Sequence, residues 1–216
     1  MTRLAISVEG ATEREFVNKV LRPPLLPLGF AVVVGVDLGG NVSLDKIAGV
    51  LPALLGGFDR VSTRYDYCRF KRREGRDVAA LEQAIAGRVA DAGRRARLLP
   101  YVQQYEFEAL LFAVPQHTCD WLGSMPQRLQ GLRAAVAEKG SPERVNNSLE
   151  TSPSHRMKAL FPHFDKKLHG PEIIELAGLA AVRAQCPRFD AWVTALEQLG
   201  QAGATAPPAP APQGHA

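Results

Sequence analysis

Leu4-Ala5-Ile6-Ser7-Val8-Glu9-Gly10-Ala11-Thr12-Glu13 is the stretch that decides the fold. Residues 4–8 make a short apolar run that stops at an acid and a glycine, which reads as a buried strand. Gly10 lets backbone approach closely before a helix start. Thr12 with Glu15 three positions on has the form of a capping box, and the helix it predicts ends at Pro23-Pro24.

Working outward, residues 31–36 are β-branched and apolar, a second strand. Gly39-Gly40-Asn41 is a turn, and Ser43 caps a helix carrying Leu44, Ile47, Leu51 and Leu54-Leu55, with Pro52 either interrupting it or sitting in a late bend. A third strand is expected near 58–65, ending at Asp66, followed by a basic loop to Asp77. Val78, Leu81, Ile85 and Val89 mark an amphipathic helix, and residues 98–102 a fourth strand. Strands alternating with helices argue for a parallel α/β sheet flanked by helices. After Phe112 the pattern turns helical, over 127–138, 153–160, 171–185 and 189–199. The expected organisation is an α/β domain over 1–114 and a C-terminal helical extension packed on it over 115–199. An Ala-, Pro- and Gly-rich tail over 200–216 is expected to be disordered.

Hydrophobic residues make up 46% and charged residues 22% of the 216, ordinary for a soluble globular protein. No stretch approaches the roughly 18–20 apolar residues of a membrane span. The opening run is too short and too soon acidic for a signal peptide, so a cytoplasmic protein without membrane contact is expected. Cys68, Cys119 and Cys186 are odd in number and far apart, which argues against disulfides and structural zinc. The net charge of +4 is compatible with a polyanion partner without requiring one.

In a parallel sheet the carboxyl ends of the strands share one rim, where ligands bind. Glu9 closes the first strand, Asp66 the third, and Glu106 with Glu108 follows the fourth. Carboxylates are natural ligands for Mg²⁺ or Mn²⁺, although acids are also common in loops at strand ends. Glu13 falls in the first helical turn, where it supports either the helix dipole or the acidic site. Arg69, Lys71, Arg72 and Arg73 follow Asp66 directly, suited to nucleic acid phosphates or to a solvated loop. Ser154, His155 and Arg156 open a helix whose backbone N–H groups attract anions, whereas Lys166, Lys167 and His169 read as a solvated face. Phe107, Phe112, Trp121 and Trp192 read as packing residues.

The run Val8-Glu9-Gly10-x-Thr12-Glu13 resembles the opening of Toprim-domain proteins, including nucleases of the OLD type. Arg64-Tyr65-Asp66-Tyr67, the segment from Pro100 through Glu106-Phe107-Glu108 to Phe112, Thr151-Ser152-Pro153-Ser154-His155-Arg156 and Leu168-His169-Gly170-Pro171 resemble the narrower DUF4276 family. That resemblance implies a Toprim-like sheet and a Mg²⁺-dependent nuclease. Glu9 would take the first-strand glutamate role and Asp66 that of the first aspartate of an Asp-x-Asp pair; both are implied as catalytic and metal-binding. The second aspartate is replaced by Cys68, which leaves Glu106 or Glu108 to restore the charge. It also implies a co-encoded partner ATPase in an anti-phage system; the chain has no G-x-x-x-x-G-K-[ST] loop of its own. The alternative is a non-catalytic module that assembles with a partner ATPase or nucleic acid.

Overall fold

Thr2–Val8 (β1) lies between two parallel neighbours, Phe30–Asp37 (β2) and Arg60–Asp66 (β3), in a computed structural model that describes residues 2–146 and 151–205. Val8 stands opposite Asp37 on one side and Arg64 on the other, so all three strands end on one rim. Beyond β3 come Leu98–Leu99 (β4) and Val102–Gln103 (β5), both parallel to it, giving the order β2-β1-β3-β4. This order reverses direction between β1 and β3, the place where open α/β sheets leave a crevice for ligands.

The single fourth strand expected over 98–102 is broken in two. Pro100 has no N–H for the ladder, and Thr63 bridges the gap. Its hydroxyl donates to the Tyr101 carbonyl at 3.0 Å and accepts the Tyr101 N–H at 2.9 Å. The bend sends the Tyr101 ring inward, where it stacks on Trp192 with centroids 4.6 Å apart.

Alternation along the strands divides the core. On one face Ala5, Val61 and Tyr65 pack on Leu44–Gly57 (α3) and Val78–Gly87 (α4), with Ala92–Arg95 (α5) following. On the other, Leu4, Ile6 and Val8 meet Phe16, Leu21, Ile173 and Val193. The side chains of Ser62, Arg64 and Asp66, two residues apart on β3, engage this second face through Trp192, Phe16 and Phe107.

Ala11–Phe16 (α1) starts at Gly10 without a side-chain cap, because Thr12 is buried in the core and not turned back on the backbone. Nor does Pro23-Pro24 end the helical run. A π-helical segment, Val17–Leu21, leads into Arg22–Leu25 (α2), whose first turn holds the two prolines where a missing N–H costs little. A 3₁₀ turn, Leu26–Leu28, follows, and Gly29 at φ 105° stops it. Ser43 caps α3 as expected, accepting the Lys46 N–H at 3.2 Å, and Pro52 stays inside that helix.

A 3₁₀ helix, Phe107–Ala113, leads from the sheet into Pro115–Leu122 (α6), Pro126–Lys139 (α7), Pro153–Leu160 (α8), Lys166–Ala177 (α9), Leu179–Arg183 (α10) and Pro187–Thr205 (α11). The helix expected from 171 instead begins at Lys166. Asp165 caps it by accepting the N–H groups of Lys167 and Leu168 at 2.8 and 3.2 Å, and Pro171 is carried inside. Residues 200–205 of the expected tail are helical, since α11 continues through Thr205. Gly200 is a packing contact: a Cβ there would stand 2.6 Å from the Phe30 ring and 2.7 Å from the Leu28 carbonyl. The remainder of the expected tail, 206–216, lies outside the described residues.

Candidate functional site

Four carboxylates gather at the rim between β1 and β3. Glu9 follows the last residue of β1, Glu13 sits in the first turn of α1, Asp66 ends β3, and Glu108 comes from the 3₁₀ helix after β5. Asp66 is only 2% exposed. Its Oδ2 accepts the Phe107 N–H at 3.3 Å, while Oδ1 is buried with no hydrogen-bond partner. Glu9 Oε2 and Glu108 Oε2 are buried and unpartnered in the same way. An orphaned buried acceptor costs about 1–3 kcal/mol, so three of them at one rim are a concentrated expense of stability.

Burial, followed by the negative charge of Glu13, Glu9 and Glu108, pushes the Asp66 carboxyl well above the ordinary range against the pull of Arg64. Glu9 is raised by burial and by Glu13, with Lys166, Arg69 and Arg64 opposing. Glu108 is raised chiefly by burial, which Lys166 partly offsets.

Two cations balance these acids. Arg64 is fully buried, its guanidinium between the Phe16 and Phe107 rings at 5.3 and 5.2 Å and bonded to Gln103 Oε1. Its Nε and Nη1 have no partner. The sequence reading overlooked Arg64; the signal was there, an arginine in phase with Asp66 inside a strand. Lys166, expected on a solvated face, instead stands with Nζ 4.0 Å from Glu108 Oε1. Burial works against its charge, but Glu108, Glu13, Asp66 and Glu9 together hold its pKa above the usual lysine value.

Glu106 and Glu108, two residues apart, have different surroundings. Glu106 Oε2 accepts the Ser154 N–H at 3.0 Å and Oε1 lies 3.4 Å from Arg69. A side chain of the protein therefore already occupies the N-terminus of α8, the position read from sequence as an anion seat. Arg156 is turned away too, its Nε donating to the Thr151 carbonyl at 2.9 Å and its Nη2 lying 3.3 Å from Glu138 on α7. Of the loop after Asp66, Lys71 and Arg72 are exposed, whereas Arg73 stacks over the Tyr67 ring at 4.3 Å. Cys68 accepts a 3.5 Å contact from the Asn146 amide, and burial with Glu106 and Asp66 raises its thiol. A thiol is in any case a poor ligand for a hard cation.

A cavity of about 450 Å³ opens beside Glu108, with Arg69, Lys158, Lys166 and Lys167 on its walls. Four cations thus line a cavity that Glu108 and Asp165 also border. Among the described residues no three His, Cys, Asp or Glu side chains are grouped closely enough to hold a metal ion as they stand. The donor chemistry nevertheless fits one: three buried carboxylate oxygens without partners, on acids that repel one another, are hard ligands suited to Mg²⁺.

The fold has a known counterpart. The C-terminal region of the Burkholderia pseudomallei OLD protein superimposes with a TM-score of 0.53 at 17% identity, over 95% of this chain and 100% of that one. The C-terminal region of the Xanthomonas campestris pv. campestris OLD protein, phased with iodine, gives 0.40 at 16% identity over 92% and 98%. The first likeness shows a shared Toprim-like α/β fold. No curated protein matches the chain. The sequence profile of a domain of unknown function, DUF4276, matches residues 8–197, and over that span the chain belongs to the DUF4276 family.

Proposed function

We propose that this protein is a Mg²⁺- or Mn²⁺-dependent phosphodiesterase acting on nucleic acid, with Glu9, Asp66 and Glu108 as its metal-binding carboxylates and Glu13 supporting them. The observation that carries the reading is the set of three buried carboxylate oxygens without partners, brought from separate elements to the β1/β3 rim. A divalent ion bound there would activate water and neutralise charge developing on the phosphate. Asp66, fixed by the Phe107 N–H, presents its free oxygen from the end of β3. Glu9 and Asp66 are assigned the catalytic role. Lys166 and Arg69, at the cavity wall, are placed to meet a phosphate beside those acids, and exposed Lys71 and Arg72 extend the positive surface. Glu106 is a positioning residue that ties the rim to α8. Arg73 and Arg156, held in intramolecular contacts, contribute less to strand binding.

The protein is proposed to act in the cytoplasm, with a co-encoded ATPase as partner in anti-phage defence, a reading supported by its resemblance to OLD-type nucleases. No helix of the described residues is long and apolar enough to cross a membrane. Cleavage of labelled single- and double-stranded DNA and RNA, with Mg²⁺ or Mn²⁺ and with and without the co-encoded ATPase, tests the proposal. Cys68, a thiol at the second aspartate position, favours a second reading, a binding module without catalysis. Tight nucleic acid binding with no cleavage in any of those mixtures would support that reading.

A further inference from the structure

Next to the basic cavity lies a second one of about 220 Å³, lined by Trp121, Arg128, Phe161, Pro162, His163 and His169 among others. Phe164 lines both cavities. The rings are held in place: Arg128 lies 5.2 Å over the Phe161 ring, Phe164 and His169 pair at 6.1 Å, and the Asp165 N–H donates to His169 Nδ1 at 3.0 Å. Trp121, read from the sequence as a packing residue, is instead 45% exposed. An aromatic recess beside lysines is the arrangement that binds single-stranded nucleic acid, with phosphates on the cations and a base stacked on the rings.

We propose that this recess is a base-stacking subsite for one unpaired nucleotide of a strand whose phosphates lie along Lys158, Lys166 and Lys167. The occupant is single-stranded nucleic acid because a base inside a duplex keeps its faces covered by its neighbours. Charge complementarity with the lysine-lined cavity selects a nucleotide over an uncharged aromatic ligand. The inference deepens the nuclease reading and rests on it for the neighbouring site, but stacking requires no metal.

Binding of a labelled oligothymidine and of an abasic strand of equal length, both in EDTA, separates the two ideas. Wild type is expected to prefer the thymidine strand by roughly 5- to 150-fold, the range for loss of one stacked base. Trp121→Ala should erase the preference and Trp121→Phe should keep most of it. Because Trp192 is buried, quenching of tryptophan emission by the thymidine strand should come from Trp121. Equal binding of the two strands by wild type would overturn the subsite, and so would an unchanged preference in Trp121→Ala. A preference that vanishes with Trp121 in a protein that cuts nothing would uphold the subsite and defeat the nuclease reading. Metal-dependent cutting by a protein indifferent to abasic sites would do the reverse.

Discussion

The N–H of Phe107 donates to Asp66 Oδ2 at 3.3 Å, joining the end of β3 to the segment that carries Glu106 and Glu108. One backbone hydrogen bond thus spaces two of the acidic contributions to the rim. The Phe107 ring is buried beneath it, edge-on to Phe16 at 5.4 Å and against the Arg64 guanidinium. The acids stand on an apolar platform, which accounts both for their raised pKa values and for their unpartnered oxygens.

Asp66→Asn should stabilise the metal-free protein at neutral pH. A buried carboxyl whose pKa is raised on folding holds its proton more tightly in the folded state. Its stability contribution therefore falls as pH rises from the ordinary carboxyl value of 3.8 through the higher folded value. Asparagine can still accept from Phe107 and carries no charge, so a gain of about 1–3 kcal/mol is expected. Urea denaturation across acidic to neutral pH should show this gain shrinking as pH falls. A variant less stable than wild type at neutral pH would mean that the Asp66 charge is well compensated.

Mg²⁺ or Mn²⁺ at about 100 times its dissociation constant should stabilise wild type by ~2.7 kcal/mol, which corresponds to a melting temperature about 5–10 °C higher. Glu9→Gln, Asp66→Asn and Glu108→Gln should each lose most of that rise, because each removes an oxygen now without a partner. Glu106→Gln should keep most of it, since its oxygens face Ser154 and Arg69. An equal loss in all four would remove the distinction drawn between Glu106 and Glu108.

Gly170→Ala probes the platform from below. A Cβ at 170 would lie 2.6 Å from the Phe107 ring, which is buried and cannot swing away. The overpacking should cost about 1–3 kcal/mol, outweighing the roughly 1 kcal/mol gain in helix propensity. Chemical denaturation measures the sum; a more stable variant would show that α9 can shift to make room.

The strand–helix alternation was readable because apolar runs ending in Glu9 and Asp66 carry their own stop signals, and Ser43 marked its helix start. The break at Pro100 was not, since it depends on Thr63, a residue distant in sequence that replaces the ladder bonds. The rim acids were legible as strand-end residues, but which of Glu106 and Glu108 stays open was not. That depends on Ser154 arriving from α8. Lys166 read as part of a solvated face ahead of the helix expected from 171, and only the packing of α9 on α1 brings it to the acids. Arg64 entered the sequence reading only as part of the Arg64-Tyr65-Asp66-Tyr67 resemblance, because an arginine fully buried between two rings is rare enough that its type gives no cue to that role.

Cleavage and binding of the same labelled nucleic acids by wild type and Asp66→Asn, with Mg²⁺ or Mn²⁺ and with EDTA, test the central assignment most directly. The account predicts metal-dependent cleavage by wild type and at least about 100-fold slower cleavage by Asp66→Asn. Strand affinity should be nearly unchanged in the variant, because phosphate contacts come from the lysines and arginines. Cleavage by Asp66→Asn at the wild-type rate would contradict it, as would cleavage by wild type that persists in EDTA.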